Sequence, residues 1–405
     1  MVSMSDTAGP DRLPLRLGIL SNGSPDSVRT WSGVPYSVKQ ALTPWFEEVV
    51  YVPSPTVPWL TLSKAINYRV HRLLKKRFVA EWLTANARHH AKTIRAALAE
   101  AAGAGRAVDV LLAVGVDQQI AYLDRPGVPI VHHSDSTFRG IAEYYSTFSD
   151  LWKFGYRHGD EINRRALENA DLSIYPARWS SDSAVRDYGV DPGKVMTVPY
   201  GSNLLDPPSR SQVLDYSVRD RCRLLWVGVE WERKGGQLTY DAMVELNRRG
   251  IDAEMVLVGA APPASCDHPK LTVHGFLSKQ VPEELELYKK LWREAAFFTL
   301  PTRGETFGMV FSEAAANGLP SIATVTGGVP DAVEDGVSGR LLPLDAPASA
   351  YADVIQEIWT DRPRYETMIR QTRDRYEQVL NWDAWAAQVA PRIGQVVRGF
   401  VGERG

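Results

Sequence analysis

The stretch "AAFFTLPTRGETFGMVFSEAAANGLP", Ala295 to Pro320, changes its hydrophobic rhythm midway. It opens on an unbroken apolar run with two phenylalanines, the pattern of a strand buried on both faces. "TRG" follows as a turn. A helix then starts near Glu305 or Thr306 and ends at Asn317-Gly318, where Gly318 suits the left-handed residue after a last turn. Pro320 stops any continuation. The free N–H groups of the first turn, from about Thr306 to Met309, would point outward at a strand's carboxyl end, where a phosphate is stabilised. Gly308 lets a ligand approach the backbone. Glu305 stands where the helix begins and Glu313 two turns on, at most ~12 Å along the axis. That span suits a ligand with hydroxyls at both ends and phosphates between, because a carboxylate accepts two hydroxyl donors of a sugar. Spacing alone also fits a plainer arrangement. In that one Glu305 complements the helix dipole and Glu313 is solvated.

Outward from this unit, short β-branched runs alternate with longer helical stretches. In the first half the predicted strands are 15–20, 107–114, 128–133, 170–176 and 194–200; in the second half they are 222–229, 253–259, 271–276, 295–301, 320–325 and 339–344. Helical periodicity appears in "VPYSVKQALTPWF", "GDEINRRALENA", "QLTYDAMVELNRRG", "EELELYKKLWREA" and "ASAYADVIQEIWTDR". Such alternation predicts an α/β fold with parallel sheets. The polar run 202–220 carries two consecutive prolines and reads as an interdomain linker. Two doubly wound, Rossmann-like domains are therefore expected, 1–204 and 205–380, with ligands at the carboxyl ends of the strands and in the cleft between them.

Composition narrows the function. The chain has 405 residues, 44% apolar and 23% charged, with a net charge of −2. That composition is ordinary for a folded protein, and it implies no nucleic-acid partner. Two cysteines, Cys222 and Cys266, lie in no metal-binding spacing. The start "MVSMSDTAGPDRLPLRLG" lacks an apolar secretion core, and no apolar run approaches the ~18 residues of a membrane span. A cytoplasmic protein is expected, soluble or held at the inner membrane surface. No GxGxxG follows either domain's first strand, which removes the main support for a nicotinamide dehydrogenase.

Four motifs in the second half occur in order: Glu305 with Phe307-Gly308, Glu313, Ala316-Asn317-Gly318-Leu319-Pro320, and Gly327-Gly328-Val329-Pro330. Together they resemble the donor-site signature of family 4 glycosyltransferases, retaining enzymes of the GT-B fold. The resemblance implies that Glu313 binds ribose hydroxyls and that Glu305 lies near the transferred sugar. It implies backbone contacts from Thr306, Phe307 and Gly308 to sugar and phosphate. In "LLWVGVEWERKGG", Arg233-Lys234 precede the Gly-Gly that opens a helix. Cations there can hold a diphosphate as charge grows on it. The resemblance makes Lys234 the family's phosphate lysine, with Arg233 as second cation; the arginine many members carry directly after the strand is Val229 here. "VHGFLSKQ" resembles the loop bracketing the nucleobase, read by the backbone of Gly275, Phe276 and Leu277; the Phe276 ring also fits plain core packing.

In the first half, "WSGVPYSVKQAL" resembles the family's glycine-rich first loop, with Gly33 at the donor. Trp31 and Tyr36 are either acceptor walls or core. "VPIVHHSDSTF" offers His133 and Asp135, which alternation puts on one face, and Asp135 is favoured as the catalytic-cleft residue. The resemblance also implies that 381–405 is a helix crossing back onto the N-terminal domain. It implies a metal-independent retaining hexosyltransferase without a cofactor, using a nucleoside diphosphate sugar and a hydroxyl acceptor such as a glycan, glycolipid or small molecule. The alternative is a catalytically silent GT-B protein that binds such ligands. Between Lys64 and Arg95 nine cations face one acid, Glu81. Mixed with Leu, Phe and Trp, they fit a peripheral membrane contact, a site for an anionic or lipid-linked acceptor, or a solvated helix face over the core.

Overall fold

The computed structural model describes residues 11–54, 56–124 and 126–402. Most of the polar start and the last three residues of the expected terminal helix lie outside them. The chain divides into two compact units, one running to Val198 and resuming at Trp385, the other Pro199–Ala384.

The first unit is built on six parallel strands: β1 (Leu13–Ser21), β2 (Phe46–Pro53), β3 (Val110–Val114), β4 (Ile130–His133), β5 (Leu172–Tyr175) and β6 (Val195–Thr197), in the order β2-β1-β3-β4-β5-β6. The central strand "VLLAV" of β3 is buried throughout, as a strand covered by helices on both faces must be. β2 has no counterpart among the predicted strands. It is an edge strand with exposed Glu47 and Glu48, so it carries no continuous apolar run to announce it. The terminal helix Trp382–Gly402 buries Trp385, Ala386, Val389, Ala390, Ile393 and Val397 along one stripe, the spacing of a helix laid on a core. From Trp385 on, that helix belongs to this unit.

The second unit repeats the plan with β7 (Cys222–Gly228), β8 (Ala253–Gly259), β9 (Leu271–His274), β10 (Phe297–Leu300), β11 (Ser321–Thr324) and β12 (Gly339–Leu342), ordered β12-β11-β10-β7-β8-β9. All are parallel. Every predicted strand of this half is present. The run 202–220 is not a free tether. Val213 and Arg219 are buried in it, and the Arg219 guanidinium donates to the carbonyls of Asn317 (2.6 Å) and Gly318 (3.4 Å).

In each sheet the order reverses beside the first strand: between β1 and β3, and between β7 and β10. Successive connections leave in opposite directions at such a point, opening a crevice at the carboxyl ends of the two strands. The loops after β7 and β10 are therefore where a ligand of the second unit belongs.

Candidate functional site

β7 ends at Gly228, and the chain turns through 229–235 into the helix Gly236–Arg248. The turn is set by packing. Trp226 and Trp231 lie 5.7 Å apart, and the Trp226 indole donates to the Lys234 carbonyl at 3.1 Å. Gly235 has φ 67°, and a Cβ there would land on the Pro301 carbonyl oxygen. Only glycine takes both the left-handed backbone and that approach. Arg303 N–H donates to the Arg233 carbonyl at 2.7 Å, and the Arg233 guanidinium donates to the Gly304 carbonyl at 2.6 Å. The loops after β7 and β10 are thus stitched together through the main chain and side chain of Arg233.

This brings three predicted residues to one point. Glu305 is buried, and its Oε1 accepts from Lys234 Nζ at 2.8 Å and from Arg233 at 3.3 Å. Glu230 takes the other side of Arg233 at 2.8 Å, and that hydrogen bond holds its carboxyl below the usual range. The Lys234 stem passes over Gly228, where a Cβ would collide with it. Glu305 lies in the loop and not on the helix, which spans Met309–Ala316. The helix starts late because Gly308 takes φ 82°, a conformation that cannot continue a helix. Thr306 and Phe307 are buried, with Phe307 edge-on to Tyr200 at 5.5 Å. Gly328 N–H donates to the Glu305 carbonyl at 3.0 Å, so the Gly-Gly-x-Pro motif props the same loop.

Glu313 is one turn into the helix, not two. It is buried, accepting from Lys279 Nζ at 2.6 Å and from the Tyr288 hydroxyl at 2.7 Å. Burial first, and then the Glu313 carboxylate, push the Tyr288 phenol well above its usual range, so it stays a donor. Lys279 lies in the "VHGFLSKQ" stretch, whose resemblance gives it no role, Tyr288 lies in no motif, and their pairing with Glu313 is identified only by the fold. At the helix's other end Gly318 (φ 62°) closes the turn as expected, with Leu319 N–H donating to the Ala314 carbonyl at 2.9 Å. Arg219 and Arg373 sit buried against the carbonyls there, cations at the negative end of the dipole.

The loop after β9 holds Gly275, Phe276 and Leu277. Phe276 is not core: it is 74% exposed. Gly275 is exposed and Leu277 half-buried. Among the described residues, no group of three or more His, Cys, Asp or Glu is placed to hold a metal ion.

In the first unit, Trp31, Ser32 and Gly33 take φ 41°, 56° and 85° in succession before the helix Val34–Leu42. Three consecutive left-handed residues are strained backbone, and such strain gathers at ligand-binding loops. The Trp31 ring covers Gly115, where a Cβ would sit 2.7 Å from it. Tyr36 is half-buried on the helix. His132 and His133 face opposite ways. His132 meets Asp117 at 3.0 Å, and His133 lies between Trp31 and Trp385 with ring centroids at 6.3 and 5.4 Å. His133 is wholly buried, while Asp135, just past the strand, is half-buried.

Burial pushes the His133 imidazole down from 6.5 to about 3. Below pH 6.5 the unfolded chain binds a proton there that the folded chain refuses, so stability falls as pH drops toward 3. Between about pH 7.5 and about pH 5 the loss from this group is ~2 kcal/mol. Denaturant midpoints at the two pH values would show it, and His133→Leu would reduce the difference by about that amount, leaving the share of His90, which burial lowers to about 4. An unchanged difference in that variant would sink the assignment.

Residues 221–361 match the family model described as "Glycosyl transferases group 1". A D-inositol 3-phosphate glycosyltransferase of Streptomyces coelicolor is 38% identical over 260 residues, covering 57% of this chain and 56% of that protein. The corresponding protein of Corynebacterium aurimucosum is 26% identical over 281 residues, 65% of each chain. The chain thus matches somewhat less than two thirds of these relatives' length. Among solved structures, HepE of Anabaena in complex with UDP-glucose superposes with a TM-score of 0.61 at 15% identity, over 94% of this chain and 100% of that one. Sucrose-phosphate synthase of Thermosynechococcus elongatus gives 0.64 at 18%, over 96% and 100%. The chain therefore has the GT-B fold, and its residues 221–361 are similar to the group 1 glycosyltransferase domain.

Proposed function

We propose that the protein is a retaining glycosyltransferase of the family 4 type, moving a hexose from a nucleoside diphosphate sugar to a hydroxyl acceptor without a divalent metal. The observation that carries this reading is the convergence of Arg233, Lys234 and Glu305 at the switch point of the second sheet, with buried Glu313 one turn into the helix that follows. Lys234 and Arg233 would take the charge that grows on the diphosphate as the glycosidic bond breaks. Glu305 holds both cations on one carboxylate oxygen, so the pair is oriented before the donor arrives. Glu313 would accept the ribose hydroxyls, and the backbone of Thr306, Phe307 and Gly308 would line the phosphates and sugar. Gly275, Phe276 and Leu277 would bracket the base, and the exposed Phe276 ring supports this.

The first unit would take the acceptor, with Trp31, Tyr36 and His133 on its side, while Gly33 would border the donor and Asp135 would serve as the catalytic residue of this unit. The acceptor hydroxyl would attack on the face the diphosphate leaves, and the departing phosphate would receive its proton. The relatives act, by name, on D-inositol 3-phosphate, which supports an anionic, hydroxyl-rich acceptor. The UDP-glucose complex of HepE supports UDP as the first nucleotide to try.

A thermal-shift screen with UDP, GDP, ADP and TDP sugars tests the donor. A donor at a hundredfold excess over its Kd should stabilise the fold by ~2.7 kcal/mol. A shift with none of them refutes the reading. A shift without transfer or hydrolysis makes the protein a silent binder.

A further inference from the structure

The basic stretch between Lys64 and Arg95 divides into two parts. The second lies on the helix Thr84–Gly103, which buries Ala87, Ala91 and Ile94. Its two arginines are spent on the fold: Arg88 covers the Tyr122 ring at 5.2 Å, and Arg95 donates to the carbonyls of Tyr122 and Leu123.

The first part is different. The helix Leu60–Leu74 has no buried residue. It therefore does not cover the core, as one sequence expectation held. Polar contacts hold its inner side: the Asn67 side-chain oxygen accepts from Phe78 N–H at 2.9 Å, and His71 meets Arg77 at 2.6 Å. On the outer side Leu62, Ile66 and Leu73 are 63%, 47% and 79% exposed. At 100° per residue these three fall within about 40° of one another, an apolar stripe turned away from Asn67 and His71. Arg69 and Arg72 border the stripe. Lys75 ends the helix with φ 54°, a conformation that favours glycine. Among the described residues Arg69, Arg72 and Lys75 join no ion pair, and no acid lies between Lys64 and Arg77 in sequence.

We infer that the helix Leu60–Leu74 lies flat on a bilayer of anionic phospholipid. Leu62, Ile66 and Leu73 enter the acyl boundary, while Arg69, Arg72 and Lys75 meet lipid phosphates. Charge complementarity selects this occupant. A second copy docked through the same face would bring its own unpaired cations against these. A nucleic acid would leave the apolar stripe without a use. The inference does not rest on the transfer reaction, and it is measured with neither donor nor acceptor present.

The test is co-sedimentation of the full chain with vesicles of phosphatidylcholine, with and without phosphatidylglycerol. The protein should pellet only with the anionic vesicles, and added salt should release it. Arg69→Gln/Arg72→Gln/Lys75→Gln should weaken partitioning about 100-fold, at roughly one tenfold step or less per cation. Leu62→Ser/Ile66→Ser/Leu73→Ser should weaken it at least ~10-fold, since each side chain is withdrawn from an apolar boundary. Should the triple apolar variant melt early, Leu73→Ser alone serves, being the most exposed. No binding to anionic vesicles, equal binding to both kinds, or wild-type binding by either variant overturns the inference. So does a dimer that the apolar variant splits while its vesicle binding stays unchanged, which would assign the face to a second copy.

Discussion

Replacing Lys234 by alanine is expected to lower turnover by about 10²- to 10³-fold, the usual cost of removing one preorganised charge partner from a developing anion. The lysine is poised to have that effect. Its stem is pinned over Gly228, and its ammonium is held at 2.8 Å by Glu305. It therefore pays little ordering entropy when the leaving group forms. Its loss leaves Glu305 with Arg233 at 3.3 Å, so the fold should survive, and a melting curve checks that. Steady-state turnover with the donor found by thermal shift is the measurement. A kcat within twofold of wild type would remove Lys234 from the reaction.

Glu313→Ala should act on affinity. Two hydrogen bonds from ribose hydroxyls to a buried carboxylate would be lost, raising the donor's Kd by about 10- to 100-fold. The variant also leaves Lys279 and the Tyr288 hydroxyl without their shared acceptor, so general loss of structure must be separated from loss of ribose contact. A donor lacking a ribose hydroxyl makes the separation. Wild type should discriminate against it, and Glu313→Ala should not. Equal discrimination by both proteins would mean that the ribose lies elsewhere.

The second unit was legible because its strands are buried runs and its glycines have work only glycine can do. Gly318 was readable as a helix end from its place before Leu-Pro. Gly308 was not readable as a helix start: a glycine inside an apolar, helix-prone run looks tolerated until its φ of 82° is known. That one torsion moved Glu305 off the helix and placed Glu313 one turn in. β2 escaped notice because an edge strand exposes the residues that would have marked it. The pairing of Lys279 and Tyr288 with Glu313 was invisible for another reason. The two residues lie 34 and 25 positions from Glu313, and pairings at that range follow from sheet order, which periodicity does not encode. Phe276 shows the reverse case, an aromatic that composition would bury and that β9's position at the sheet edge leaves outside.

That edge position separates two kinds of change. The cation pair and Glu305 hang on β7 and β10, adjacent inner strands whose loops are joined through the Arg233 carbonyl and guanidinium. A shift of the main chain there is felt by both loops at once. The 275–277 loop hangs on the outermost strand of the sheet, with its aromatic ring in solvent. Mutations can accumulate in it without repacking the interior. Under the proposed function, a lineage descended from this chain could therefore exchange one nucleotide preference for another while Arg233, Lys234 and Glu305 stayed untouched.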